Sequence, residues 1–156
     1  MSKEQRLAIA KDVIANIEMI HHVAKGHYFV GEVGDIDLTA DPQAEIDKIA
    51  GRCTVCALGA LFISAIRQFN EVKMCDITYV SQNRSLFFTN NPSLRFRLAT
   101  FFDRGQLALI EAAFECWSTS DGGTAARDLG KKYLDPKQRL IAIMQNIITN
   151  DGDFKP

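Results

Sequence analysis

Cys53 and Cys56 stand three residues apart in "GRCTVCALGALF", a spacing that suits a metal ligand pair or a redox pair. Structural zinc takes four ligands, and the further supply is Cys75, Cys116, His21, His22 and His27. No second CxxC or HxxxH accompanies the first, so half of a zinc signature is missing. A redox pair would draw on a helix start, whose dipole stabilises a thiolate, and on a neighbouring cation such as Arg52. Such a pair ordinarily follows a strand in a βαβ frame, which these residues do not announce. The expectation is therefore two small apolar side chains at a tightly packed helix start. A zinc- or thiol-dependent enzyme at Cys53 and Cys56 stays as an alternative.

Other residue types offer weaker chemistry. Glu18, His21 and His22 fall on one side of an expected first helix, but HEXXH is absent and a solvated polar face explains them. "SDGGT" (Ser120 to Thr124) precedes a helical pattern, and backbone amides at a helix start can hold a phosphate. It lacks GK[ST] and GxGxxG, the fuller nucleotide signatures. The candidate ligand-binding residues are Arg52, Ser120, Gly122, Gly123 and Thr124. Glu111 borders the apolar arc of its helix, with Glu115 one turn on. The expectation there is an edge carboxylate paired with Arg95, Arg97 or Arg104. With GxSxG and a local cysteine–histidine pattern also missing, no catalytic residue, metal ligand or cofactor is assigned.

The elements that would position these residues read as helices. Ser2 and Gln5 form a capping box ahead of Leu7, Ala10, Ile14, Ile17 and Ile20, with Gly26 as a stop. "HYFVGEVGDIDLTA" reads as a short strand or a surface loop. Asp41 and Pro42 open a short helix that ends at Gly51. "CTVCALGALFISAIRQF" is apolar nearly all round and reads as a central buried helix, with Ala57, Gly59, Ala60 and Ser64 admitting a neighbouring helix. Ile77, Tyr79 and Leu86 to Phe88 suit a small hairpin around "SQNRS". Asn91 with Pro92, Asp103 with Gln106, and Asp135 with Pro136 mark three further helix starts, and Thr124 to Leu134 reads as a short helix. Leu107, Ile110, Phe114 and Trp117 share one face, as do Leu140, Ile143, Met144, Ile147 and Ile148. The fold class expected is mostly α: one compact multi-helix domain over residues 1–156, built around a buried central helix.

Composition agrees with that class. The chain has 156 residues, 47% hydrophobic and 24% charged, enough for one domain with a real core. With 18 basic and 19 acidic residues its net charge is −1, which supplies no basic field for non-specific nucleic-acid binding. "MSKEQRLAIAKDV" carries no signal-peptide pattern, and the run from Val55 to Ile66 is about half the roughly 20 residues that span a bilayer. The expected setting is the cytoplasm, with reduced thiols and no membrane contact.

Three stretches together, "RCTVCALGALFISAI", "FDRGQLALIEAAFECW" and "RLIAIMQNIITNDGDFKP", resemble segments of small helical proteins of bacteriophages and bacteria. Arg52, Cys53, Ala57, Leu58, Gly59 and Ala60 fit their RC-x3-ALGA pattern. Asn146, Ile147, Ile148, Asn150, Gly152 and Phe154 fit their NII-x-N-x-G-x-F ending. The resemblance implies a phage accessory product that counters a host defence, with its setting the host cytoplasm, and it transfers no catalytic residue. The leading functional expectation is a non-enzymatic protein that binds a host protein or another copy of itself. The alternative from a different class is a protein that sequesters a nucleotide signal.

Overall fold

Ser2 Oγ accepts from the Gln5 amide at 3.1 Å, and Gln5 Oε1 accepts from the Ser2 amide at 3.4 Å. The first helix, α1 (Lys3–Ala15), thus opens on the capping box its sequence announces. The structure is a computed structural model that describes residues 2–26, 28–31, 37, 39–69, 92–117 and 121–156. After α1 come a 3-10 turn (Ile17–Met19), β1 (His22–Val23), β2 (Phe29–Gly31), α2 (Pro42–Ala50), β3 (Cys53–Val55) and α3 (Ala57–Phe69). The helices α4 (Pro92–Leu98), α5 (Arg104–Glu115), α6 (Asp121–Lys131) and α7 (Pro136–Thr149) follow. The architecture is mostly helical. The hairpin expected around "SQNRS" lies outside the described residues.

Side-chain caps set the other helix starts. Asp41, Asp103 and Asp135 accept from the amides of Ala44, Gln106 and Gln138 at 3.2, 2.8 and 2.9 Å. Each satisfies a donor that a helix start otherwise leaves without a partner.

Two boundaries differ from the sequence reading. The first helix ends at Ala15, and Gly26 (φ +79°) instead serves the turn between β1 and β2. Cys53–Val55 is a strand, so the buried helix begins at Ala57. That strand is the middle of a small sheet ordered β1-β3-β2, parallel to β1 (His22 opposite Thr54) and antiparallel to β2 (Phe29 opposite Val55). An apolar run of this length carries no periodicity that separates strand from helix, and its partners lie some distance back in the chain.

One apolar core joins the elements. α3 is buried from Ala57 to Ile66 and packs against α1, α2, α4 and α5. Gly59 admits the chain to its surface: a Cβ there would collide with the Tyr28 carbonyl and press on Val55. The neighbour admitted is thus the segment entering β2, where the sequence suggested a helix. Gly130 plays the same part between α6 and α5, where a Cβ would strike the Ala113 carbonyl.

Two polar assemblies fasten the outside of this core. Arg67 donates to Asp12 at 2.9 Å and to Asp47 at 2.5 Å, which ties α3 to α1 and α2. Burial alone would lower the Arg67 pKa, but the hydrogen bonds it donates to Asp47 and Asp12 outweigh it and raise the pKa. Asp12 also accepts from Gln68 and Asn16. At the other end the C-terminal residues dock as a strap. Phe154 is buried, its amide donates to Gln106 Oε1 at 2.5 Å, and its carbonyl accepts from Gln106 Nε2 at 3.2 Å. Arg6 holds the Gly152 carbonyl at 2.6 Å and Asp153 at 2.7 Å. Burying one phenylalanine contributes roughly 1.5–3 kcal/mol.

Candidate functional site

Cys56 follows β3 directly, and its carbonyl accepts the first helical bond of α3 from the Ala60 amide at 3.0 Å. Its thiol is buried in the core. That burial raises its pKa far above the ordinary thiol value, and the Glu115 and Glu111 carboxylates push the same way. The amides of Gly59 and Leu58 pull downward and lose. Burial likewise pushes Cys53 up to about 11, against the pull of Arg52. In both groups burial disfavours the thiolate, the form that metal ligation and thiol exchange need. Among the described residues, no group of three or more His, Cys, Asp or Glu side chains could hold a metal ion.

The carboxylates beside Cys56 come from α5. Glu111 is buried, where the sequence placed it at the helix edge beside an arginine. It accepts a 2.5 Å hydrogen bond from the Tyr28 hydroxyl, across a sequence separation of 83 residues. Glu115, one turn later, accepts from the Gly26 amide at 2.9 and 3.2 Å. Burial raises the Glu115 pKa, and the Gly26 amide, Lys25 and Arg139 oppose it. A buried carboxyl with a raised pKa is a feature that acid–base sites and structural carboxyls share. Here both carboxylates receive hydrogen bonds from one short segment, Gly26 and Tyr28, and so clamp it to α5. The neighbouring Cys56 thiol is buried, and that burial disfavours the thiolate form that acts as a nucleophile.

Arg139 is the functional group that sequence reasoning missed. It sits on the buried face of α7, only 4% exposed. Its guanidinium donates to the carbonyls of Gly130 (2.9 Å), Tyr133 (3.1 and 2.6 Å) and Phe114 (2.9 Å). These carbonyls belong to the carboxyl ends of α6 and α5 and to the loop after α6. A cation is favoured there by the helix dipoles, and the open carbonyls need donors. No spacing rule points to such a residue, because its partners are backbone atoms of distant segments.

That guanidinium fixes an exposed corner. From the last residue of α6 into α7 the chain runs Lys131, Lys132, Tyr133, Leu134, Asp135. The Lys132 and Tyr133 amides donate back into α6, and Asp135 caps α7. Leu134 is 92% exposed and Tyr133 is 38% exposed. Lys137 nearby is paired with Glu18 at 2.5 Å.

The residues expected to bind a ligand are spread differently. Arg52 is exposed in the turn between α2 and β3. Among the described residues no hydrogen bond or ion pair joins its side chain to α6. Gly122, Gly123 and Thr124 lie in the first turn of α6, which starts at Asp121, three residues before the expected Thr124. Gly123 is buried and Thr124 exposed, and Ser120 is outside the described residues. Glu18, His21 and His22 are exposed, but α1 has ended before them, so they share no helical face. His22 lies in β1. Among the described residues no helix is long and apolar enough to cross a membrane.

Comparison with protein-family models, with curated proteins and with solved structures gives no match.

Proposed function

We propose that the chain is a non-enzymatic protein that works by binding a partner protein. The observation that supports this reading is a division of labour. Cys56, Glu111, Glu115, Arg67 and Arg139 are turned inward and hold elements together, while Leu134 stands in solvent on a loop fixed from beneath. The resemblance to small phage and bacterial helical proteins suggests a setting for it: an accessory factor in the cytoplasm of a bacterial host that blocks a defence protein by occupying it.

Affinity capture from a bacterial lysate, with native mass spectrometry of what is retained, tests the reading. The expected result is a discrete complex of fixed stoichiometry. A monomer that retains nothing overturns it. Arg52, exposed and without an ion pair among the described residues, favours nucleotide sequestration as a second reading. A thermal-shift panel of nucleotides separates the two, because a ligand that binds only the folded state raises apparent stability.

A further inference from the structure

Leu134 has no folding reason to be where it is. A leucine at 92% exposure contributes nothing to the core. Yet the loop that carries it is held by backbone and side-chain bonds on every side. Arg139 pins the Gly130 and Tyr133 carbonyls from below, and Asp135 caps the next helix immediately after. A loop backbone already held in one place loses little freedom when a partner closes over it, and preorganisation of this kind favours binding.

Around this knob Asp128 is paired with Arg127 at 3.0 Å, and the exposed lysines are left over. Lys131 and Lys132 are exposed and make no ion pair among the described residues. Lys137 is already neutralised by Glu18, and Asp135 is engaged at the α7 cap. Two free ammonium groups therefore flank one apolar tip and one half-exposed tyrosine. The α6 dipole explains why lysines are tolerated at its carboxyl end. It does not explain the leucine that follows them.

We propose that the Lys131–Leu134 corner is a docking site for an acidic segment of a partner protein that carries an aliphatic or aromatic side chain against Leu134 and carboxylates against Lys131 and Lys132. This rests on the binding reading above and names its surface and partner chemistry. A second copy is disfavoured because a two-fold contact through this corner would set the lysine pairs against each other. A lipid surface is disfavoured because one leucine and one partly covered tyrosine give too little apolar area to anchor a protein.

Selection of random displayed 12-residue peptides on the immobilised full chain tests the proposal. The expected outcome is enrichment of sequences with Asp or Glu around a Leu, Phe or Trp. A synthetic peptide of the leading sequence should lose at least tenfold in affinity against Leu134→Ser, and at least tenfold against the double variant Lys131→Glu, Lys132→Glu. Binding to Lys155→Glu, at the opposite end of α7, should be unchanged, and added salt should weaken binding to the parent. Unchanged melting of Leu134→Ser confirms that the variant is folded. Absence of acidic enrichment, or a leading peptide that binds Leu134→Ser like the parent, overturns the corner and leaves the broader reading to its capture test. A dimer of the parent that Leu134→Ser dissolves in sedimentation also overturns it, by assigning the corner to self-association.

Discussion

Replacing Arg139 with methionine keeps most of the apolar stem and removes every donor of the guanidinium. The Gly130 and Phe114 carbonyls that it serves are buried, whereas the Tyr133 carbonyl lies nearer the surface. The Gly130 carbonyl keeps the Tyr133 amide at 3.1 Å, so the Phe114 carbonyl is the buried acceptor that loses its N–H donor, at a cost of about 1–3 kcal/mol, with the weakened Gly130 and Tyr133 contacts added to it. Relief of the desolvation cost of a buried cation returns part of this. The net expectation is a loss of roughly 1–3 kcal/mol, a sizeable share of the 5–15 kcal/mol typical of a domain. Urea unfolding should show a lower midpoint at unchanged slope. For a chain of this size each kcal/mol moves the melting temperature by about 2–4 °C, which predicts a drop of roughly 2–12 °C. Arg139→Lys should rescue only part, since a single ammonium cannot reproduce a planar fork across three carbonyls. Hydrogen exchange adds the local readout. The Lys132 and Tyr133 amides, which donate into the end of α6, should exchange faster in Arg139→Met. A loss below about 0.5 kcal/mol, within the range of ordinary surface changes, would refute the reasoning. So would a large loss that leaves those two amides protected.

Three further outcomes follow from the same geometry. Gly59→Ala should destabilise the protein, although alanine gains roughly 1 kcal/mol over glycine in an open helix, because the new methyl meets the Tyr28 carbonyl; a higher melting temperature would contradict that contact. Alkylation at pH 8 followed by peptide mapping should leave Cys53 and Cys56 unmodified until the chain unfolds, and rapid native labelling of either would contradict the burial of both thiols. The raised folded pKa of Glu115 means that the folded state binds its proton more tightly than the unfolded chain does. Its contribution is present below the ordinary glutamate value of 4.5 and lost as pH rises through the folded pKa, so the stability of the parent relative to Glu115→Gln should fall over that window, and a rise would refute the sign.

Local signals in the sequence were legible because their physics is local. Ser2 with Gln5, Asp41 with Pro42, and Asp135 with Pro136 each satisfy donors within three residues, and each starts a helix as expected. The α3 segment was legible as buried because no polar face interrupts it from Ala57 to Ile66. What escaped depends on distant partners. Glu111 reads as an edge residue until Tyr28 arrives beside it. Asp12 lies on an inner face because Arg67 and Gln68 meet it there. Cys53–Val55 reads as helix because nothing in its own residues announces β1 and β2. Arg139 had no signal at all, since it acts on backbone atoms. The C-terminal strap gave one hint, an aromatic residue in an otherwise polar ending, and Phe154 is indeed buried.

We propose together that the buried carboxylate cluster is structural and that the Leu134 corner meets the partner. Quantitative affinity capture from a bacterial lysate, with the parent, Leu134→Ser and Glu115→Gln as parallel baits, tests it most directly. The expected result is one protein retained by the parent and by Glu115→Gln and lost with Leu134→Ser. Retention by Leu134→Ser together with loss by a folded Glu115→Gln would contradict it and move the function to the buried cluster.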